Sequence, residues 1–163
     1  MPTRRTVVAV VAGGLSGCGF ELKRPPELRF KTVQLVGFPV RSPLADELRT
    51  NIDASATTKV VDTAAQAQVL LEALAEAREK SVVAATAAGQ VTEFTLRLRF
   101  RFRLRTPSGR ELIAPTEMVQ SRDMSYTETA ALAKEIEEAS LYRSMQSDIV
   151  SQVMRRLASV PAL

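Results

Sequence analysis

No histidine and no tryptophan occur among the 163 residues, and cysteine occurs once. Without histidine the chain lacks the commonest general base and the commonest metal ligand near neutral pH. A single cysteine closes no disulfide within the chain. No metal and no cofactor is therefore expected. Catalysis would have to rest on carboxylates, which work in pairs across a loop-lined pocket. The acids here gather mainly on one helical stretch, as in Glu135, Glu137 and Glu138, so an enzyme is not expected. Also missing is an apolar run of about twenty residues, the length a helix needs to cross a bilayer. There is no internal repeat and no low-complexity segment.

A shorter apolar run does lie near the start. Met1-Pro2-Thr3-Arg4-Arg5 is basic and free of acids, and Thr6 to Gly14 is uncharged and mostly apolar. Small residues follow in Leu15-Ser16-Gly17-Cys18. The first two parts have the form of a secretory signal, and the tetrad resembles the lipobox of bacterial lipoproteins. Residues 1–17 are then a signal peptide. Cys18 becomes the first residue of the mature chain and carries S-diacylglycerol and an N-palmitoyl group. Cysteine suits that role because a thiolate is a strong nucleophile. Several acyl chains hold a protein on a membrane more durably than one. Cleavage also changes the charge. Arg4 and Arg5 leave with no acid, so the formal +4 falls to +2. A nearly neutral, exported chain gives no reason to expect nucleic acid.

Residues 18–28 read as a lipidated tether, with Pro25-Pro26 favouring an extended backbone. Residues 29–160 read as one domain. Arg29 to Val36 suggests a first strand, ended by Gly37-Phe38-Pro39. Ser42 can cap a helix with Pro43 at its first position, and Leu44, Leu48 and Ile52 then form one apolar stripe. Thr57 to Val61 is β-branched enough for a short strand. Ala64 to Lys80 is rich in strong helix formers, and propensity alone makes it a helix. Ser81 to Thr86 is a further candidate strand, with Ala88-Gly89-Gln90 as its turn.

Phe94 to Arg105 reads FTLRLRFRFRLR. Phe94, Leu96, Leu98, Phe100, Phe102 and Leu104 share one parity, and Arg97, Arg99, Arg101, Arg103 and Arg105 share the other. Strict alternation of this kind marks a strand with one face in a core and one face outside. Thr106-Pro107-Ser108-Gly109 is turn chemistry, and Glu111 to Gln120 should return beside the first strand. Ser125-x-x-Glu128 has the form of a capping box for a last helix that starts there or a few residues later. Its stripe runs Leu132, Ile136, Ala139, Tyr142, Met145, Ile149, Val153, Leu157, and Pro161 ends it. The expected fold is α/β (α+β): a two-layer sandwich whose small, mostly antiparallel sheet is covered on one face by two helices.

The chain resembles the LPS-assembly lipoprotein family LptE. The likeness runs through Cys18-Gly19-Phe20-Glu21-Leu22, Gly89 to Leu96, Arg122-Asp123-Met124-Ser125-Tyr126, and Ala133 to Glu138 with Leu141-Tyr142, Met145, Asp148 and Arg155-Arg156-Leu157. The resemblance implies a non-enzymatic lipoprotein on the periplasmic side of the outer membrane. It would plug an LptD-like barrel and help insert lipopolysaccharide into the outer leaflet. It also implies that Gln68 to Glu76 is a strand, against local propensity. Basic contacts to lipopolysaccharide are implied at the start of the last helix, where Lys134 stands, and near the hairpin tip, where Ala87 is not basic. The other reading of the residues is an unrelated periplasm-facing lipoprotein that binds a soluble partner or a small lipophile.

Arg97, Arg99, Arg101 and Arg103 are the remaining candidate contacts, to lipopolysaccharide or to the barrel. Same-face neighbours lie about 7 Å apart and repel by about 0.6 kcal/mol each in water. Such a row needs counter-charges: Glu111 and Glu117 on the returning strand could supply them, leaving a solvated face of cross-strand ion pairs, as could acids on the barrel wall. Arginine also suits phosphate, which it can bind through two parallel hydrogen bonds.

Overall fold

The computed structural model describes residues 27–162. Its elements are β1 (Thr32–Val36), α1 (Pro43–Asp53), β2 (Lys59–Val60), β3 (Val69–Ala85), β4 (Val91–Arg105), β5 (Glu111–Ser125) and α2 (Ala131–Ala158). One sheet runs in the order β2-β1-β3-β4-β5. β1 is parallel to β2 and β3, while β3, β4 and β5 are antiparallel. The expected architecture is found.

Alternation along β4 sets the layers. Leu96, Leu98, Phe100, Phe102 and Leu104 are buried in one cluster with Leu44, Leu48 and Ile52 of α1 and Met145, Ile149, Val153 and Leu157 of α2. Both helices therefore lie on the same face. Phe100 stacks on Phe102 at 5.5 Å and on Phe38 at 5.7 Å. The core already takes in Leu28. Ser42 caps α1 as expected, its Oγ accepting from the Ala45 N–H at 3.1 Å. Both tight hairpins use a Thr-x-x-Gly turn. Gly89 and Gly109 donate to the carbonyls of Thr86 and Thr106 at 2.9 Å each, and both glycines have positive φ.

Residues 69–85 are one strand, so the helix suggested by local propensity gives way, and Ser81 to Thr86 is its continuation. Between β1 and β4, this segment satisfies its backbone in two ladders and buries Val69, Leu70 and Leu71. Tertiary pairing outweighs a few tenths of a kcal/mol per residue of helix preference. One residue of β3, Leu74, is extra. Ala73 pairs Phe102 and Ala75 pairs Arg101, so Leu74 is bulged and the facing pattern inverts there. Below the bulge Leu71 and Ala73 face the helices. Above it Glu76, Arg78 and Lys80 do, opposite Phe100, Leu98 and Leu96.

Two further expectations at the last helix are corrected. Ser125 ends β5 and Glu128 opens a single 3₁₀ turn, so the capping box does not form; the N-cap is Ala130, without a side-chain cap. The Tyr126 N–H is already committed to the Thr92 carbonyl at 2.8 Å, which prolongs the hairpin. Leu132 and Ile136 are exposed, at 72% and 64%, although they continue the apolar stripe. Gln146 Nε2 reaches the carbonyl of Pro43, the first residue of α1, so α1 flanks only the later part of α2.

Candidate functional site

The face of the sheet away from the helices carries the arginine row. Arg103 Nε donates to Glu72 Oε2 at 2.8 Å, with its Nη2 also 2.8 Å from that oxygen, and Arg105 Nε donates to the same Oε2 at 3.0 Å. These hydrogen bonds, Arg103's before Arg105's, hold the Glu72 carboxyl below the usual carboxylate range. The Glu72 hydrogen bond raises Arg103 in turn. Arg99 pairs with Glu79 at 2.8 Å, while its Nε is buried without a partner.

The counter-charges thus come from β3, not from Glu111 and Glu117. Glu117 stands opposite Arg101, and Glu111 opposite Arg105, but neither carboxylate is within ion-pair distance of an arginine among the described residues. Glu111 acts on Arg103 only at longer range. Glu72 and Glu79 are an odd number of residues apart and would fall on opposite faces of a regular strand. The bulge at Leu74 brings both onto the arginine face. No feature of the sequence read alone pointed to them.

Among the described residues, Arg97 and Arg101 form no ion pair, and both are exposed. Along β4, then, Arg97 and Arg101 are free, Arg99 is paired with Glu79, and Arg103 and Arg105 share the single charge of Glu72. The free guanidiniums lie four residues apart, about 13 Å along the strand.

Lys134 is not part of this row. Its Nζ lies 2.8 Å from Glu137 and 3.1 Å from Ser125 Oγ. Ser125 pairs with Glu93, four residues along β4 from Arg97. On the helix side Lys80 pairs with Glu138 at 2.6 Å and lies 4.3 Å over the Phe94 ring. Arg78 sits 5.2 Å over Tyr142, whose hydroxyl donates to the Glu79 carbonyl. Cys18 lies outside the described residues. Among those described, no acids group closely enough to hold a metal, and no helix is long and apolar enough to cross a membrane.

The family model described as LptE, lipopolysaccharide-assembly, matches residues 30–157. The chain belongs to the LptE family. Lipoprotein B from Nitrosomonas europaea, solved by NMR, is similar at 30% identity, with a TM-score of 0.74 over 86% of this chain and 91% of that one. The rare lipoprotein B from Shewanella oneidensis gives 22% identity and a TM-score of 0.66, over 79% and 95%. A minor lipoprotein from Acinetobacter baumannii gives 17% and 0.65, over 83% and 98%, and supports the fold alone. No curated protein matches the chain. Membership gives this LptE-family protein a role in lipopolysaccharide assembly at the outer membrane, as a structural assembly protein and not an enzyme. The reading as an unrelated lipoprotein falls with it.

Proposed function

We propose that this protein is an outer-membrane lipoprotein that fills the lumen of an LptD-like barrel and helps insert lipopolysaccharide into the outer leaflet. Residues 1–17 are its signal peptide, and lipid on Cys18 ties residues 18–28 to the periplasmic side of the membrane. The sheet's arginine face meets anionic groups there, on lipopolysaccharide phosphates or on the barrel wall, with Lys134 as a separate contact at the end of the sheet.

The observation that carries this reading is the pair of free arginines, Arg97 and Arg101, on a face whose other arginines are held by Glu79 and Glu72. Glu72 and Glu79 relieve the repulsion within the row and leave Arg97 and Arg101 available. Guanidiniums about 13 Å apart match separate phosphates or carboxylates rather than one.

Affinity purification from envelope membranes tests the partnership, and an outer-membrane barrel should be recovered in equal amounts. Its reproducible absence would refute the plug. Arg97→Gln with Arg101→Gln should weaken barrel or lipopolysaccharide binding about three- to thirtyfold if each lost charge pair is worth up to about 1 kcal/mol. Unchanged binding of both would remove the arginine face from the mechanism.

A further inference from the structure

The outer edge of β5 is a second surface with a specific chemistry. Among the described residues β5 is the last strand of the sheet, so the N–H and C=O groups of its alternate residues point away from β4 with no described strand to meet them. The edge is guarded at both ends. Pro115 lies in the irregular step where pairing jumps from Ile113 to Thr116. At the other end Arg122 folds back, donating to the Ser121 carbonyl at 2.8 Å and to Asp148 at 2.9 Å. Between these guards the short stretch Thr116–Gln120 is bare.

Thr116 to Val119 of this stretch form one wall of a groove of about 490 Å³, and the C-terminal half of α2 forms the other through Gln152, Arg155 and Arg156. Arg155 and Arg156 are exposed and form no ion pair among the described residues. The helix dipole favours cations in the last turn, which accounts for their place along the helix. It does not account for their standing across a groove from an unpaired strand edge. An edge strand beside a helix is the geometry in which extended peptides add to a sheet. The main chain supplies affinity, and alternate side chains supply specificity.

We propose that this groove takes an extended acidic segment of a partner protein as an added strand. Side chains on the helix side of the added strand are carboxylates that meet Arg155 and Arg156. Those on the other side meet Glu117 and Val119 and are neutral or basic. A second copy of this chain fits poorly, because pairing two β5 edges would bring the two sets of arginines together.

The test uses a fluorescent, end-blocked octapeptide of alternating glutamate and threonine, and the full chain in detergent micelles. Anisotropy should report binding, and Arg155→Ala with Arg156→Ala should weaken it about three- to tenfold. Two further peptides carry N-methyl groups on either the odd or the even residues and are tested against the unmodified protein. One of the two should lose binding and the other keep it, because an added strand turns only alternate N–H groups to the edge. The proposal is overturned if the parent peptide does not bind, if both methylated peptides bind alike, or if the double variant binds as tightly as the parent protein. It is also overturned if the chain dimerises through this edge and the peptide does not separate the copies.

Discussion

Gly37→Ala should be among the more damaging small substitutions in this protein, and its cost divides into two parts. Gly37 has φ +76°, where an L side chain costs roughly 1–2 kcal/mol. A Cβ added there would stand 2.5 Å from the Ala73 carbonyl oxygen. Ordinary contact begins near 3.4 Å, so one backbone must retreat by about 0.9 Å. Neither yields easily, because β3 is held between β1 and β4 beside the Leu74 bulge. Overpacking of this kind costs about 1–3 kcal/mol. Stiffening of the unfolded chain returns about 0.4–1 kcal/mol. The net loss is about 2–4 kcal/mol, or a fall in Tm of roughly 6–15 °C for a domain of this size. Gly89→Ala is the control. Its φ is +81°, and nothing lies within 4 Å of the added atom, so only the conformational part applies. Urea unfolding of both variants, followed by far-UV circular dichroism, gives the difference. If Gly37→Ala costs no more than Gly89→Ala, the close approach of β1 to the bulge carries no weight, and the reasoning fails.

Glu72→Gln should change the acid limb of the stability curve. The folded-state pKa of Glu72 is depressed, so its stabilisation is complete above the usual carboxylate range and is lost as pH falls through the folded value. The variant should be less stable than the parent at neutral pH, and the gap should close in acid; a gap independent of pH refutes the assignment. Cys18→Ala should leave the chain unanchored in membrane fractionation while some barrel binding persists. If the variant folds but binds no barrel, the lipid is more than a tether.

The sequence was readable where one neighbour decided everything. β4 announced itself because Leu96 to Leu104 all meet the same core and the arginines between them all meet the outside. α1 was equally plain, since Ser42 and Pro43 act locally. β3 was not. Its letters favour a helix, and its alternation changes phase at Leu74, so no single period describes it. For the same reason Glu72 and Glu79 could not be matched to Arg103 and Arg99 in advance. Leu132 and Ile136 show a different limit: periodicity marks the face of a helix but not how far its neighbour extends.

The bulge at Leu74 also bears on the fidelity of folding. An alanine-rich strand has few large side chains to fix its register, and such strands are prone to slip. A slip of one residue in β3 would turn Glu72 toward the core below the bulge. Above it, Arg78 and Lys80 would turn away from Tyr142 and Glu138. Both halves therefore reject the same error, each through its own charges. A phase change within one strand works here as a vernier, holding a weakly marked segment at one setting against β4.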